Sequence, residues 1–131
     1  MSENQQDGSS PTVVLVHGAF ADASGWTGVV ERLQAEGVQV TAPANPLRGI
    51  STDSAYVASF LDQIPGPVVA VGHSYGGAVI SNAAASADNV VGLVYVAAFA
   101  SDQDETLADV ESTAKDSVLN TALVQLQYPT G

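Results

Sequence analysis

The sequence predicts an α/β domain built on a parallel sheet with helices on both faces. Three observations lead there. Short, almost wholly apolar runs at residues 12–16, 38–42, 68–71 and 90–98 read as strands, the first of them buried on both faces of a parallel sheet. The segments between them carry helical spacing, with Trp26, Val29, Val30 and Leu33 on one apolar stripe and Val57, Phe60, Leu61 and Ile64 on another. The resulting order, β-α-β-α-β-α-β, requires crossover connections and therefore a parallel sheet. If the winding direction reverses after the second strand, the spatial order is second, first, third, fourth, and the site lies at the switch point beyond the strand ends.

Each element has a local reason. Residues 1–11 are polar and are expected to form a disordered tail; they lack the basic and apolar regions of a signal peptide. The first strand, 12–16, runs into His17-Gly18-Ala19-Phe20. Ser24 is the expected cap of a helix starting near Trp26, and Gly37 its stop. The second strand, 38–42, is closed by Pro43 and Pro46. Ser51 or Thr52 is the expected cap of the next helix, which ends before Pro65-Gly66-Pro67. The third strand is followed by a small-residue helix over 77–87, a turn at Asp88-Asn89, and the fourth strand.

Composition narrows the class. At 131 residues and 46% hydrophobic, the chain is one domain with enough apolar material for a core. Three basic residues face fourteen acids, a formal charge of −11, which disfavours nucleic acid and anionic membrane as partners. The absence of cysteine removes disulfide and thiolate chemistry and fits a cytoplasmic protein. No apolar run reaches membrane-spanning length.

The chemistry concentrates at Gly72-His73-Ser74-Tyr75-Gly76, which fits G-x-S-x-G between a predicted strand and a predicted helix. That arrangement is a nucleophile elbow: the turn is so tight that residues two either side of the serine tolerate no β-carbon, and the Ser74 hydroxyl stands at a helix N-terminus. A dinucleotide-binding fingerprint is the rival, since Gly72-x-Ser74-x-x-Gly77 nearly fits G-x-G-x-x-G. It fails because Ser74 holds the position where backbone must approach a pyrophosphate, and Asp88 falls before the next strand rather than after it. Acyl transfer from Ser74 requires N–H donors for the oxyanion. Tyr75 is one, and the switch point places Ala19 as the other, with Phe20 as fallback. No cofactor is called for, and two histidines with scattered acids have no metal-ligand spacing.

His17-Gly18-Ala19 with Trp26 downstream, together with Gly72-His73-Ser74-Tyr75-Gly76-Gly77, resembles the α/β-hydrolase superfamily, most closely the small esterases related to methyl-salicylate esterases and hydroxynitrile lyases. The resemblance implies that residues 12–100 are the N-terminal half of a hydrolase core and that 101–131 begin a helical cap. It implies Ser74 as nucleophile and Phe20 as a wall of the substrate pocket. Lyase members carry threonine where this chain has Gly18, so Gly18 points to an esterase of small carboxylic esters. The family places its histidine and acid late in the chain, and neither is matched here. His17 and His73 are the chain's two histidines; one belongs to the oxyanion-loop motif and the other precedes Ser74 on the turn, so both are expected to be structural. Asp102 sits in a charge run that reads as a solvated face. The expected partner is therefore a complementary C-terminal half that carries the base and pairs with the outer edge of the fourth strand, which this chain alone would leave exposed. The alternatives are an incomplete fragment that acts only as an interaction module, and a carbon–carbon lyase.

Overall fold

The fold was analysed in a computed structural model, which describes residues 10–100, 119–124, 126, 127 and 129. Strand β1 (Thr12–Val16) leads through a 3-10 turn (Ala23–Trp26) into α1 (Thr27–Ala35), then β2 (Val40–Thr41), α2 (Ile50–Asp62), β3 (Val68–His73), α3 (Tyr75–Ala84) and β4 (Val90–Val96). A short α4 (Leu119–Ala122) follows. All strand pairs are parallel and the order is β2-β1-β3-β4, as the winding argument requires. The extent of the tail and of the cap segment falls on residues 1–9 and 101–118, outside those described. Among the described residues no helix is long and apolar enough to cross a membrane.

The period-2 geometry of the strands divides the core in two. On one face Val14, Val16, Val68 and Ala70 pack with Val57 and Leu61 of α2 and Ala78, Val79 and Ile80 of α3. On the other, Leu15 and Val71 pack with Trp26 and, more loosely, with Val30 of α1. This second face is covered over β2, β1 and Val71 of β3, but not over β4. Val94 and Val96, in register with Val71 and His73, remain 45% and 43% exposed, and Val91 is 65% exposed. The fourth strand, expected to leave its outer edge exposed in this chain alone, is an exposed edge among the described residues.

Several boundaries differ from expectation for identifiable reasons. Asp22, not Ser24, caps the first helical turn, because its carboxylate accepts both the backbone N–H and the hydroxyl of Ser24; these two bonds hold the Asp22 carboxyl below the usual carboxylate range. β2 is two residues long because Val38 N–H turns back to the Leu33 carbonyl and completes the end of α1 instead. Neither Ser51 nor Thr52 caps α2. Gly49 holds that position, and Asp53 in the first turn reaches back to accept the N–H groups of Arg48 at 2.9 Å and Gly49 at 3.5 Å. β4 stops at Val96 because Ala97 takes a φ of 44°.

Two contacts bring the helices to the sheet in the way the site requires. A β-carbon on Gly76 would lie 2.3 Å from the Val16 carbonyl oxygen, so α3 meets the end of β1 backbone to backbone. Across the α2–α3 interface the Tyr75 phenol donates to the fully buried Asp53 carboxylate at 2.6 Å. Burial, and then the bond to Asp53 and its charge, push the Tyr75 hydroxyl well above its ordinary value.

Gly76→Ala is therefore expected to cost more than about 3 kcal/mol, at the upper end of overpacking effects, because backbone cannot move aside as a side chain can; urea titration measures it. The raised Tyr75 value fixes a second outcome. Tyr75 stays protonated in the folded state where the unfolded chain ionises, so its contribution is complete below about pH 10 and declines as pH rises beyond that. Melting temperatures taken across the alkaline range should fall more steeply for the wild type than for Tyr75→Phe.

Candidate active site

The site forms where β1 and β3 end side by side. Ser74 joins β3 to α3 with φ 55° and ψ −124°, a left-handed conformation that costs a non-glycine residue about 1–3 kcal/mol. Its backbone is held on three sides: Ser74 N–H donates to Val96 O at 3.4 Å, and Ser74 O accepts Gly77 N–H at 3.0 Å and Phe99 N–H at 3.1 Å. A β-carbon on Gly72 would come within 2.6 Å of the backbone of Gly76 and Gly77, so the turn closes only with glycine there. The strained serine geometry and the flanking glycines occur together, as an elbow demands.

The His17-Gly18-Ala19 segment lies directly against this serine. A β-carbon on Gly18 would stand 3.0 Å from both the His73 carbonyl oxygen and Ser74 Cβ, and 3.5 Å from Ser74 Oγ. Ala19 and Phe20 form the turn that follows, and no backbone bond among the described residues takes up the N–H of either. The N–H of Tyr75, in the first turn of α3, has no partner within its own helix. Phe20 is 83% exposed and stands out from the loop.

Both histidines are engaged elsewhere. His17 is buried; its Nε2 accepts the Asn45 N–H at 3.0 Å, which makes Nδ1 the protonated nitrogen, donating to Gly18 O at 2.8 Å. Asn45 Nδ2 returns a bond to His17 O at 3.1 Å. His73 projects to the α1 face, where its ring meets Trp26 edge-on at 6.3 Å. A cleft of about 230 Å³ opens there, between Trp26 and Val29 on one side and His73 and Val96 on the other. Ser74 is not among its walls, and the buried Trp26 indole nitrogen beside it has no hydrogen-bond partner. Among the described residues no three metal-ligating side chains come together.

Two participants escaped the sequence reading. Asn45 fixes the ring of His17 from within a proline-bounded loop, where nothing in the pattern marks it. Asp53 did leave a signal: it lies four residues before Val57 and eight before Leu61, a carboxylate on the buried stripe of α2.

Comparison with known proteins agrees with this geometry. The profile of the Alpha/beta hydrolase family matches residues 13–127. A pyrethroid hydrolase from Sphingobium faniae shares 30% identity and a TM-score of 0.61, with 69% of this chain covering 40% of that one. An extracellular α/β-hydrolase from a Paenibacillus species, described as structurally and functionally homologous to tobacco salicylic acid binding protein 2, shares 26% identity and a TM-score of 0.63, with 70% of this chain covering 42% of that one. Tomato methylketone synthase I, at 24% identity and a TM-score of 0.71 over 93% of this chain and 53% of its own, shares the fold. No curated protein matches. The chain thus spans about two fifths of the length of the hydrolases it resembles. From the elbow at Ser74 to the sheet order around it, this chain belongs to the α/β-hydrolase family.

Proposed function

We propose that the chain is the nucleophile-bearing part of a serine hydrolase of small carboxylic esters. The observation that carries the reading is the strained Ser74, with Gly18 so close that a β-carbon there would stand 3.0 Å from Ser74 Cβ and 3.5 Å from its Oγ. In this reading Ser74 Oγ bonds to the ester carbonyl carbon while its proton passes to a general base. The N–H groups of Tyr75 and Ala19 stabilise the oxyanion. Collapse breaks the bond to the alcohol oxygen, which leaves with the proton returned by the base, and water releases the acid from Ser74 by the same sequence. Gly18 keeps the space over Ser74 clear, where the lyase relatives carry threonine; this supports ester hydrolysis over carbon–carbon cleavage. Phe20, at the loop tip, contributes a substrate wall once the pocket is roofed.

The base and its acid come from a complementary C-terminal polypeptide that also extends the sheet from β4. Support comes from the exposed apolar residues of β4 and from the engagement of both histidines with other partners. Edge strands with no lysine or proline to blunt them invite another strand, and residues 90–98 contain neither. The same exposed edge favours a second reading, in which the chain alone serves as an interaction module without turnover.

Fluorophosphonate treatment of the chain reconstituted with the complementary polypeptide, followed by peptide mapping, is expected to place the label on Ser74. Ser74→Ala should abolish labelling and reduce turnover to the residual level of about 10³–10⁴-fold over water. Labelling at another residue, or none, would sink the hydrolase reading. Amide exchange tests the partner separately. The β4 amides facing away from β3 should exchange rapidly in the isolated 131-residue chain and become protected when the complementary part is present. Equal protection in a proven monomer argues that no partner is needed.

A further inference from the structure

Outside the nucleophile and the oxyanion loop, the most heavily bonded polar group at this end of the sheet is Asp53. It is fully buried, yet its carboxylate accepts from Arg48 N–H at 2.9 Å, Gly49 N–H at 3.5 Å and the Tyr75 phenol at 2.6 Å. The loop it ties down is strained: Leu47 has φ 60° and Gly49 φ 154°. Stability alone does not account for this arrangement. Well-packed apolar residues of similar volume often serve as well as, or better than, a buried charge with its partner, and a phenylalanine ring would fill the place of the Tyr75 ring without a hydroxyl to satisfy.

We infer that Asp53 is a positioning residue for the oxyanion site, fixing through the Tyr75 phenol the orientation of the peptide that joins Ser74 to Tyr75. The inference rests on the reading of Ser74 as nucleophile and Tyr75 N–H as oxyanion donor. That peptide carries the donor at one end and the Ser74 carbonyl at the other. The carbonyl end is held by the N–H groups of Gly77 and Phe99. Relaxation of the left-handed φ at Ser74 would rotate the peptide and swing the N–H away from the substrate carbonyl. Tyr75 opposes the rotation from the nitrogen side, because its Cα carries both the N–H and a side chain anchored at its far end. The anchor is itself rigid, since the Asp53 carboxylate is locked by two backbone donors of the 47–49 loop. The path therefore runs from that loop, through Asp53 and the phenol, to the N–H, without Asp53 touching substrate.

The test compares wild type with Tyr75→Phe and Asp53→Asn, each reconstituted with the complementary polypeptide. It measures Ser74 labelling by a fluorophosphonate, kcat and KM for p-nitrophenyl acetate, and the affinity for phenylboronic acid, whose serine adduct mimics the tetrahedral oxyanion. Loss of an oxyanion donor outright costs about 10²–10³-fold in kcat; misalignment of one that is still present should cost Tyr75→Phe about tenfold. KM should stay within about twofold, and boronate affinity should fall in step with kcat. Asp53→Asn, which keeps an oxygen for the phenol, should lose less than Tyr75→Phe. A lower melting temperature with unchanged kcat and boronate affinity would overturn the inference alone, by reducing the pair to a structural role. Should Tyr75→Phe fail to fold, the same reading is taken from Asp53→Asn: wild-type kcat and boronate affinity with altered stability overturns it. No labelling of Ser74 in the wild type overturns the hydrolase reading, and this inference with it.

Discussion

The structure turns on a backbone-to-backbone approach. Where β1 and β3 end, three chain segments come together more closely than side chains permit: the loop after β1, the turn after β3 and the first turn of α3. Glycines 18, 72 and 76 are the concession that makes this possible, each for a different neighbour. Gly72 clears the path of α3 as it doubles back, Gly76 seats α3 on the end of β1, and Gly18 seats the loop on the serine. The crossover order of the sheet follows from the same point, since β1 and β3 must be adjacent for the loop and the turn to meet. A fold that separated those strands would leave Ser74 without the loop after β1 that packs against it.

Strain of this kind persists only where the surroundings over-determine the geometry, and here the surroundings are polar rather than apolar. His17 and Asn45 exchange bonds that set the loop after β1. Asp53 gathers the loop before α2 and the first residue of α3. Asn89 donates to the carbonyls of Leu61 at 2.8 Å and Ile64 at 3.1 Å, fastening the end of α2 to the start of β4. The two apolar clusters hold the layers together but are tolerant of small shifts. Directional bonds at the strand ends supply the registration that packing cannot.

How much of this was legible in the sequence depends on the range of the interaction. β1, β3 and the buried stripe of α2 could be read because burial on both faces leaves uninterrupted apolar runs and helical spacing. The elbow could be read because its steric demands fall within five consecutive residues. The cap of the first helical turn was misplaced by two residues, since Asp22 and Ser24 are both good caps and a 3-10 turn intervenes before α1. The roles of Asn45 and Asp53 depend on partners 28 and 22 residues away and on the left-handed backbone at Leu47, none of which composition or periodicity records. The exposed edge at β4 could be read, because the strand order places the fourth strand outermost and residues 90–98 hold no lysine or proline to blunt it.

One bond gives the architecture a seam. Phe99 N–H donates to the carbonyl of Ser74 itself, so the chain leaving β4 is pinned to the serine turn. The end of β4 and the serine turn are thereby fixed to one another through Val96 and Phe99. This makes Phe99 a natural junction for grafting: sequence exchanged beyond it leaves untouched the backbone bonds that hold Ser74 in its left-handed conformation.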